Sequence, residues 1–219
     1  MRRPKAVILD MDGLMLDTEP IYRRAWKSAA RELGFSLSDD LYEEMVGLTM
    51  ADSEARLARA FGAAFSLLTF RALASHRWRR EVRESGVPRK PGLDELLRAL
   101  ETLSLPSAIA TSSDAERARI SLGAAGLADR FECVVTGDDV TRGKPAPDLF
   151  LEAARRVQVA AESCLAVEDS EAGVLAASRA GMTVLLVPDL VGPSPRAIAA
   201  SEAVYPSLHE VAAALTGAR

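Results

Sequence analysis

The sequence is poor in the residues that carry redox and imidazole chemistry: 219 residues include two cysteines and two histidines. Cys133 and Cys164 lie in separate apolar runs without C-x-x-C spacing. That argues against a thiolate metal site or a disulfide framework, and fits a reducing compartment. His76 falls in an arginine-rich helical stretch and His209 near the carboxyl terminus, and neither setting supports histidine chemistry. No run approaches the ~20 apolar residues that a membrane helix requires. The opening Met1-Arg2-Arg3-Pro4 is basic, but Asp10 and Asp12 interrupt it too early for a signal peptide. Lysine is confined to Lys5, Lys27, Lys90 and Lys144. The arginines are interspersed with acids, as Arg117 and Arg119 are with Asp114 and Glu116. With a net charge of −4 and no long basic block, the chain lacks the concentrated basic face that phosphate-backbone binding needs. A cytoplasmic protein that engages neither membrane nor nucleic acid is expected. No feature demands a partner subunit, so a monomer is the expectation.

At 48% hydrophobic and 26% charged residues, the chain reads as a globular protein, long enough for one domain and a smaller companion. Lys5–Leu9 is a short apolar run ending abruptly at Asp10. Similar runs recur at 106–110, 131–135, 165–167, 183–187 and, more weakly, 203–205. Continuous runs of this length read as strands buried on both faces, typical of parallel sheets. Between the later runs lie apolar stripes at helical spacing: Leu93, Leu96, Leu97 and Leu100; Leu149, Ala153 and Val157; Val174, Ala177 and Ala180. The alternation predicts right-handed βαβ units and an α/β fold around a central parallel sheet.

Residues 18–88 break that rhythm. Ile21, Ala25, Ala29 and Leu33 share one helical face that Gly34 ends. Leu57 with Phe61, then Leu73, Trp78 and Val82, continue the pattern with no strand run between them. The simplest reading is a helical insertion, residues 18–88, in a core of residues 1–17 and 89–219. The turn-rich stretches 17–20 and 86–92 would serve as hinges.

Ligands of open α/β sheets bind beyond the carboxyl ends of the strands. Asp10-Met11-Asp12-Gly13 follows the first run, Thr111-Ser112-Ser113 the second and Glu168-Asp169-Ser170 the fourth. Gly143-Lys144-Pro145 precedes the helix that leads to the fourth. Four carboxylates, Asp10, Asp12, Glu168 and Asp169, would repel one another without a cation, and hard oxygen donors select Mg²⁺. Thr111 offers a hydroxyl, Ser113-x-x-Glu116 reads as a capping box opening a helix, and Lys144 adds a positive charge. Together these describe a phosphoryl site. Each feature also has an ordinary reading as a turn residue, helix cap or solvated loop charge. All of those would have to hold at once, in strand order.

Four segments resemble the motifs of haloacid dehalogenase-like hydrolases, and more narrowly their β-phosphoglucomutase-like and pseudouridine-5'-phosphatase-like branch. They are Asp10-Met11-Asp12-Gly13-Leu14-Met15-Leu16-Asp17-Thr18-Glu19, Ala110-Thr111-Ser112-Ser113, Gly143-Lys144-Pro145-Ala146-Pro147-Asp148 and Val167-Glu168-Asp169-Ser170-x-x-Gly173. The first motif is specific, and the likeness runs to Ala180-Gly181-Met182 and Val187-Pro188-Asp189. The resemblance implies a Rossmann-like three-layer core with an inserted α-helical cap. It implies a Mg²⁺-dependent phosphatase acting on a small phosphorylated metabolite, a sugar phosphate or nucleoside monophosphate.

The resemblance also implies a role for each residue. Asp10 would be the nucleophile that becomes an aspartyl-phosphate, and Asp12 the general acid and base. Thr111, Ser112 and Lys144 would hold the phosphoryl oxygens. Asp10, the main-chain carbonyl of Asp12, and Asp169 would bind Mg²⁺, with Glu168 acting through a water. Thr18, Tyr22, Thr49 and Met50 would face the substrate from a closing cap. The mutases of this branch carry Arg where Met50 stands and His where Tyr22 stands. Those departures favour hydrolysis over a phosphomutase, although Arg56 could supply the missing charge. Asp12 argues against a dehalogenase. Lys27, the only lysine within the insertion, is a poor candidate for the catalytic lysine of a phosphonatase. A phosphate-binding regulatory protein without catalysis would show decay at Asp10, Asp12, Thr111, Lys144 or Asp169, and none is decayed.

Overall fold

The computed structural model describes residues 3–46, 48 and 50–217. It divides into two compact units: Met1–Asp17 with Pro88–Arg219, and Thr18–Val87.

Among the described residues, the first unit holds a six-stranded parallel sheet. The chain forms β1 (Ala6–Leu9), then the helices of the second unit, α1 (Glu19–Glu32), α2 (Asp39–Glu43), α3 (Met50–Phe61) and α4 (Leu67–Ser85). It returns with α5 (Leu93–Thr102), β2 (Ser107–Ala110), α6 (Ala115–Ala124), β3 (Val134–Val135) and α7 (Asp148–Arg156). β4 (Cys164–Glu168), α8 (Glu171–Arg179), β5 (Thr183–Leu186), α9 (Pro195–Ala200), β6 (Ala203–Val204) and α10 (Leu208–Thr216) complete it.

The spatial order is β3-β2-β1-β4-β5-β6. The chain runs outward from β1 to β3, then crosses to the other side of β1 at β4. That reversal is the topological switch point where α/β sheets form a crevice. The register pairs Leu9 with both Ile109 and Val167, so the residues following β1, β2 and β4 emerge at one edge. Every residue of β1 and β4 is buried, as continuous apolar runs require of central parallel strands. β3 is shorter than the run 131–135 predicts: Phe131 packs its ring into the core from outside the ladder.

The segments entering and leaving the helical insertion run side by side. Leu16 bridges Arg89 antiparallel, and Asp17 N–H donates to the Pro88 carbonyl at 2.9 Å. α5 buries Leu93, Leu96, Leu97 and Leu100, the stripe its spacing predicts.

Among its described residues, the regular elements of the second unit are all helices. α1 opens with Pro20 in its first turn and buries Ile21, Ala25, Ala29 and Ala30. α4 buries Phe70, Ala74, Trp78 and Val82, a strict four-residue spacing, whereas Leu73 of the expected stripe is only half-buried. The rings of Trp26 and Phe70 meet edge to face at 5.5 Å, and Tyr22 stacks on Trp78 at 6.1 Å. No described helix is long and apolar enough to cross a membrane.

Candidate active site

The carboxyl edge of the sheet gathers six of the residues singled out from sequence: Asp10, Asp12, Thr111, Lys144, Glu168 and Asp169. Asp10 follows β1 directly, and its N–H donates to the Val167 carbonyl at 3.1 Å, continuing the ladder by one residue. The chain then turns sharply. Met15 and Leu16 N–H groups both donate to the Met11 carbonyl, and Gly13 takes φ of +89°. A Cβ at Gly13 would strike the Asp169 carboxylate, so both the backbone conformation and the close approach require glycine.

Lys144 is the electrostatic hinge of the site. Its Nζ donates to Asp10 Oδ1 and, at 2.5 Å, to Glu168 Oε1, with a side chain only 6% exposed. The ammonium also lies 5.2 Å from the centre of the Phe150 ring, a cation–π contact. Burial works against the ammonium, but the Asp10 and Glu168 carboxylates outweigh it and raise its pKa above the ordinary lysine value. Glu168 is fully buried. Its Oε2 accepts from the N–H groups of Asp169 and Ser170 at 3.0 and 3.1 Å, and from Ser170 Oγ at 3.0 Å. Space for that carboxylate exists because residue 173 is glycine.

One ammonium does not neutralise four acids. Asp10 is pushed up to about 8, chiefly by burial, with the charges of Glu168 and Asp12 adding and Lys144 opposing. Asp169 is raised well above the usual carboxylate range by burial and by Asp10 and Glu168. Asp12 Oδ1 is buried with no hydrogen-bond partner. Uncompensated carboxylates, Asp10 and Asp169, with oxygen donors alone, fit a hard divalent cation. Among the described residues no three His, Cys, Asp or Glu side chains form a metal-holding group.

The Thr111 segment differs from its expected detail. Asp114, not Ser113, caps α6, its carboxylate accepting from Arg117 N–H at 2.8 Å. Ser113 turns inward instead, and its Oγ donates to Asp12 Oδ2 at 2.8 Å. Thr111 is almost fully buried. Its Oγ1 accepts from Ser113 N–H at 3.0 Å and donates to Asp12 Oδ2 at 3.3 Å. Ser112 is exposed.

Sequence reasoning missed Lys90, which pairs with Asp189 and lies 3.8 Å from Asp17; the Asp189 carboxylate stands 3.3 Å from where a Cβ at Gly13 would fall. Its signal was its position in the second hinge, directly before Pro91. Of the residues expected to face substrate from the insertion, Thr18 is buried just ahead of α1, Tyr22 stacks on Trp78, and Met50 opens α3 at 47% exposed. Thr49 lies outside the described residues. Arg56 is tied to Glu44, and Lys27 to Asp39 at 2.5 Å.

A buried Asp-x-Asp turn after the first strand, a threonine after the second and a lysine bridging to the acid after the fourth define a phosphoryl-handling hydrolase class. The model of the haloacid dehalogenase-like hydrolase family matches residues 7–187. A phosphorylated carbohydrates phosphatase of Thermotoga maritima is 33% identical over 178 residues, 81% of this chain and 82% of its own. A beta-phosphoglucomutase of Bacillus subtilis is 32% identical over 81% of this chain and 80% of its own. The crystal structure of a HAD family hydrolase from Deinococcus radiodurans R1, with bound phosphate and sodium, superposes with TM-score 0.80. It is 28% identical, over 100% of this chain and 97% of that one. The chain belongs to the haloacid dehalogenase-like hydrolases, as a phosphoric monoester hydrolase of that family.

Proposed function

We propose that this protein hydrolyses the phosphomonoester of a small metabolite, a sugar phosphate or nucleoside monophosphate, through an aspartyl-phosphate on Asp10. The observation that carries the reading is the buried Asp10 carboxylate held by Lys144 beside the Asp12 carboxylate. The T. maritima relative, a phosphatase of phosphorylated carbohydrates by name, supports the sugar phosphate.

In the first half-reaction an Asp10 oxygen attacks phosphorus and the P–O bond to the alcohol breaks. Asp12 gives the departing oxygen a proton. In the second, water attacks the aspartyl-phosphate, Asp12 takes its proton, and Asp10 leaves with its electron pair. Lys144, Thr111 and the main-chain N–H groups near Ser112 hold the phosphoryl oxygens, where transition-state charge is spread. Mg²⁺, when bound, would be held by Asp10, the carbonyl of Asp12, and Asp169, with Glu168 through a water, and supplies positive charge against the phosphoryl oxygens. We assign the insertion, residues 18–88, the family's role of a cap that excludes water, with Thr18, Tyr22, Thr49 and Met50 on the leaving-group side. A cytoplasmic location and a monomer complete the reading.

The likeness to a beta-phosphoglucomutase sustains a second reading as a phosphomutase, which the exposed apolar Met50, in place of arginine, disfavours. Phosphate release across sugar phosphates, nucleoside monophosphates and phosphoglycolate, with Mg²⁺ or with EDTA, tests the proposal. The expected result is metal-dependent release that Asp10→Asn abolishes. Absence of release with Mg²⁺ would sink simple hydrolysis on that panel, and isomer analysis of β-glucose 1-phosphate would then test the mutase.

A further inference from the structure

We propose that Ser113 is a positioning residue for proton transfer, holding Asp12 by one carboxylate oxygen so that the other is free to carry the proton. This rests on the role proposed for Asp12.

The two oxygens of Asp12 have unlike surroundings. Oδ2 accepts from Ser113 Oγ at 2.8 Å and from Thr111 Oγ1 at 3.3 Å, while Oδ1 is buried without a partner. A hydroxyl donating to Oδ2 occupies that oxygen and fixes the rotation of the carboxyl group, which leaves Oδ1 as the oxygen without a competing donor.

The two hydroxyls are not equivalent. Thr111 is the residue assigned to the phosphoryl group, so its long bond to Asp12 is the one surrendered when substrate arrives. Ser113 keeps the shorter bond, and its backbone is anchored at both ends. Its N–H donates to Thr111 Oγ1 at 3.0 Å, and its carbonyl accepts from Gly137 N–H at 2.9 Å. A Cβ at residue 137 would come within 2.9 Å of the Ser112 carbonyl, so glycine there lets the two loops approach. Because Asp114 takes over the capping of α6, the Ser113 hydroxyl is released for Asp12.

In the step concerned, the Asp10 oxygen bonds to phosphorus, and the electron pair of the breaking P–O bond goes to the alcohol oxygen. That oxygen takes the proton from Asp12 Oδ1, leaving Asp12 a carboxylate still bonded to Ser113. Water later returns a proton to the same oxygen as the aspartyl-phosphate is cleaved.

A misdirected acid hurts alcohols that leave poorly and matters little to those that leave as stable anions. The test is kcat/KM of the Mg²⁺-loaded enzyme for p-nitrophenyl, p-chlorophenyl and phenyl phosphate, with a hexose phosphate as the alkyl member. In Ser113→Ala the hexose phosphate rate falls by about tenfold, part of the ~100-fold or more that a general acid supplies. The p-nitrophenyl rate falls far less, so the dependence on leaving group steepens. Ser113→Thr, which retains a hydroxyl, brings the slope back. A uniform fall, no fall, or a threonine variant as steep as alanine overturns the proposal. Asp12→Asn separates the two levels: its slope must be steeper than that of Ser113→Ala. If Asp12→Asn leaves the hexose phosphate rate intact, the assignment of Asp12 itself fails.

Discussion

Replacing Gly173 with alanine opposes two effects that differ in sign. Gly173 lies in the first turns of α8, where alanine ordinarily gains about 1 kcal/mol of helix propensity over glycine. Here the added Cβ would fall well under 3.0 Å from the Glu168 carboxylate. Glu168 is fully buried, so it can yield only by giving up Lys144 and the three donors on Oε2. Breaking a buried, hydrogen-bonded ion pair costs about 3–5 kcal/mol. The net expectation is a loss of about 2–4 kcal/mol, or roughly 5–15 °C in Tm for a chain of this size.

Thermal unfolding by far-UV circular dichroism reads the loss, and Gly123→Ala supplies the control. Gly123 is in α6, and a Cβ there meets nothing within 4 Å. That variant should be neutral or gain up to about 1 kcal/mol. Phosphatase activity of Gly173→Ala should fall with its stability, because Lys144 loses its second carboxylate. If Gly173→Ala melts at or above the wild-type temperature, the carboxylate does not occupy the space that the missing side chain leaves, and the account of Lys144's anchoring is wrong.

Three further outcomes follow from other parts of the molecule. Asp139 is held down to about 2 from 3.8, first by the Arg156 guanidinium and then by Thr136 N–H. A depressed carboxylate stabilises the fold above its unfolded pKa. The wild type's advantage over Asp139→Asn in urea should therefore be constant above about pH 5 and shrink as pH falls from about 4 towards about 2; an advantage unchanged across that window would refute the assignment. Phe70→Ala removes a ring that meets Trp26 at 5.5 Å and Phe65 at 5.3 Å. It should cost about 3–5 kcal/mol, seen in fluorescence unfolding, since Trp26 and Trp78 both lie in the helical unit; a loss below about 1 kcal/mol would be inconsistent with that packing. Lys144→Ala strands Asp10 and Glu168 without their shared ammonium, so it should lower stability by about 3–5 kcal/mol as well as abolish turnover. A variant that is inactive yet as stable as wild type would show that the pair contributes nothing to the fold.

The positions of most elements were legible in the sequence because they depend on short-range pattern. Apolar runs of three to five residues ending at Asp10, Thr111 and Glu168 announce buried parallel strands whatever surrounds them. The order of those strands in the sheet is a global property, and it was constrained only by the rule that βαβ connections are right-handed. The chemistry of the site was legible for the same reason: Asp10, Asp12, Glu168 and Asp169 each stand at or near a strand end, and Lys144 just ahead of α7.

What escaped was the direction in which hydroxyls and ammonium groups point. Ser113-x-x-Glu116 and Asp114 with Arg117 are both acceptable openings for one helix, and local propensity does not choose between them. Tertiary structure decides, because Asp12 waits across the turn for a donor that Ser113 can reach. The same holds for Lys90, a loop charge by its letter, which Asp189, 99 residues away, holds in an ion pair. The sequence by itself determined the kinds of groups present and the strand ends that bear them, since both follow from residues adjacent in the chain. Which oxygen of Asp12 is held, and what Glu168 is spent on, only the tertiary structure decided. Those bonds join residues 101 and 24 positions apart, and no local pattern encodes a distance of that kind.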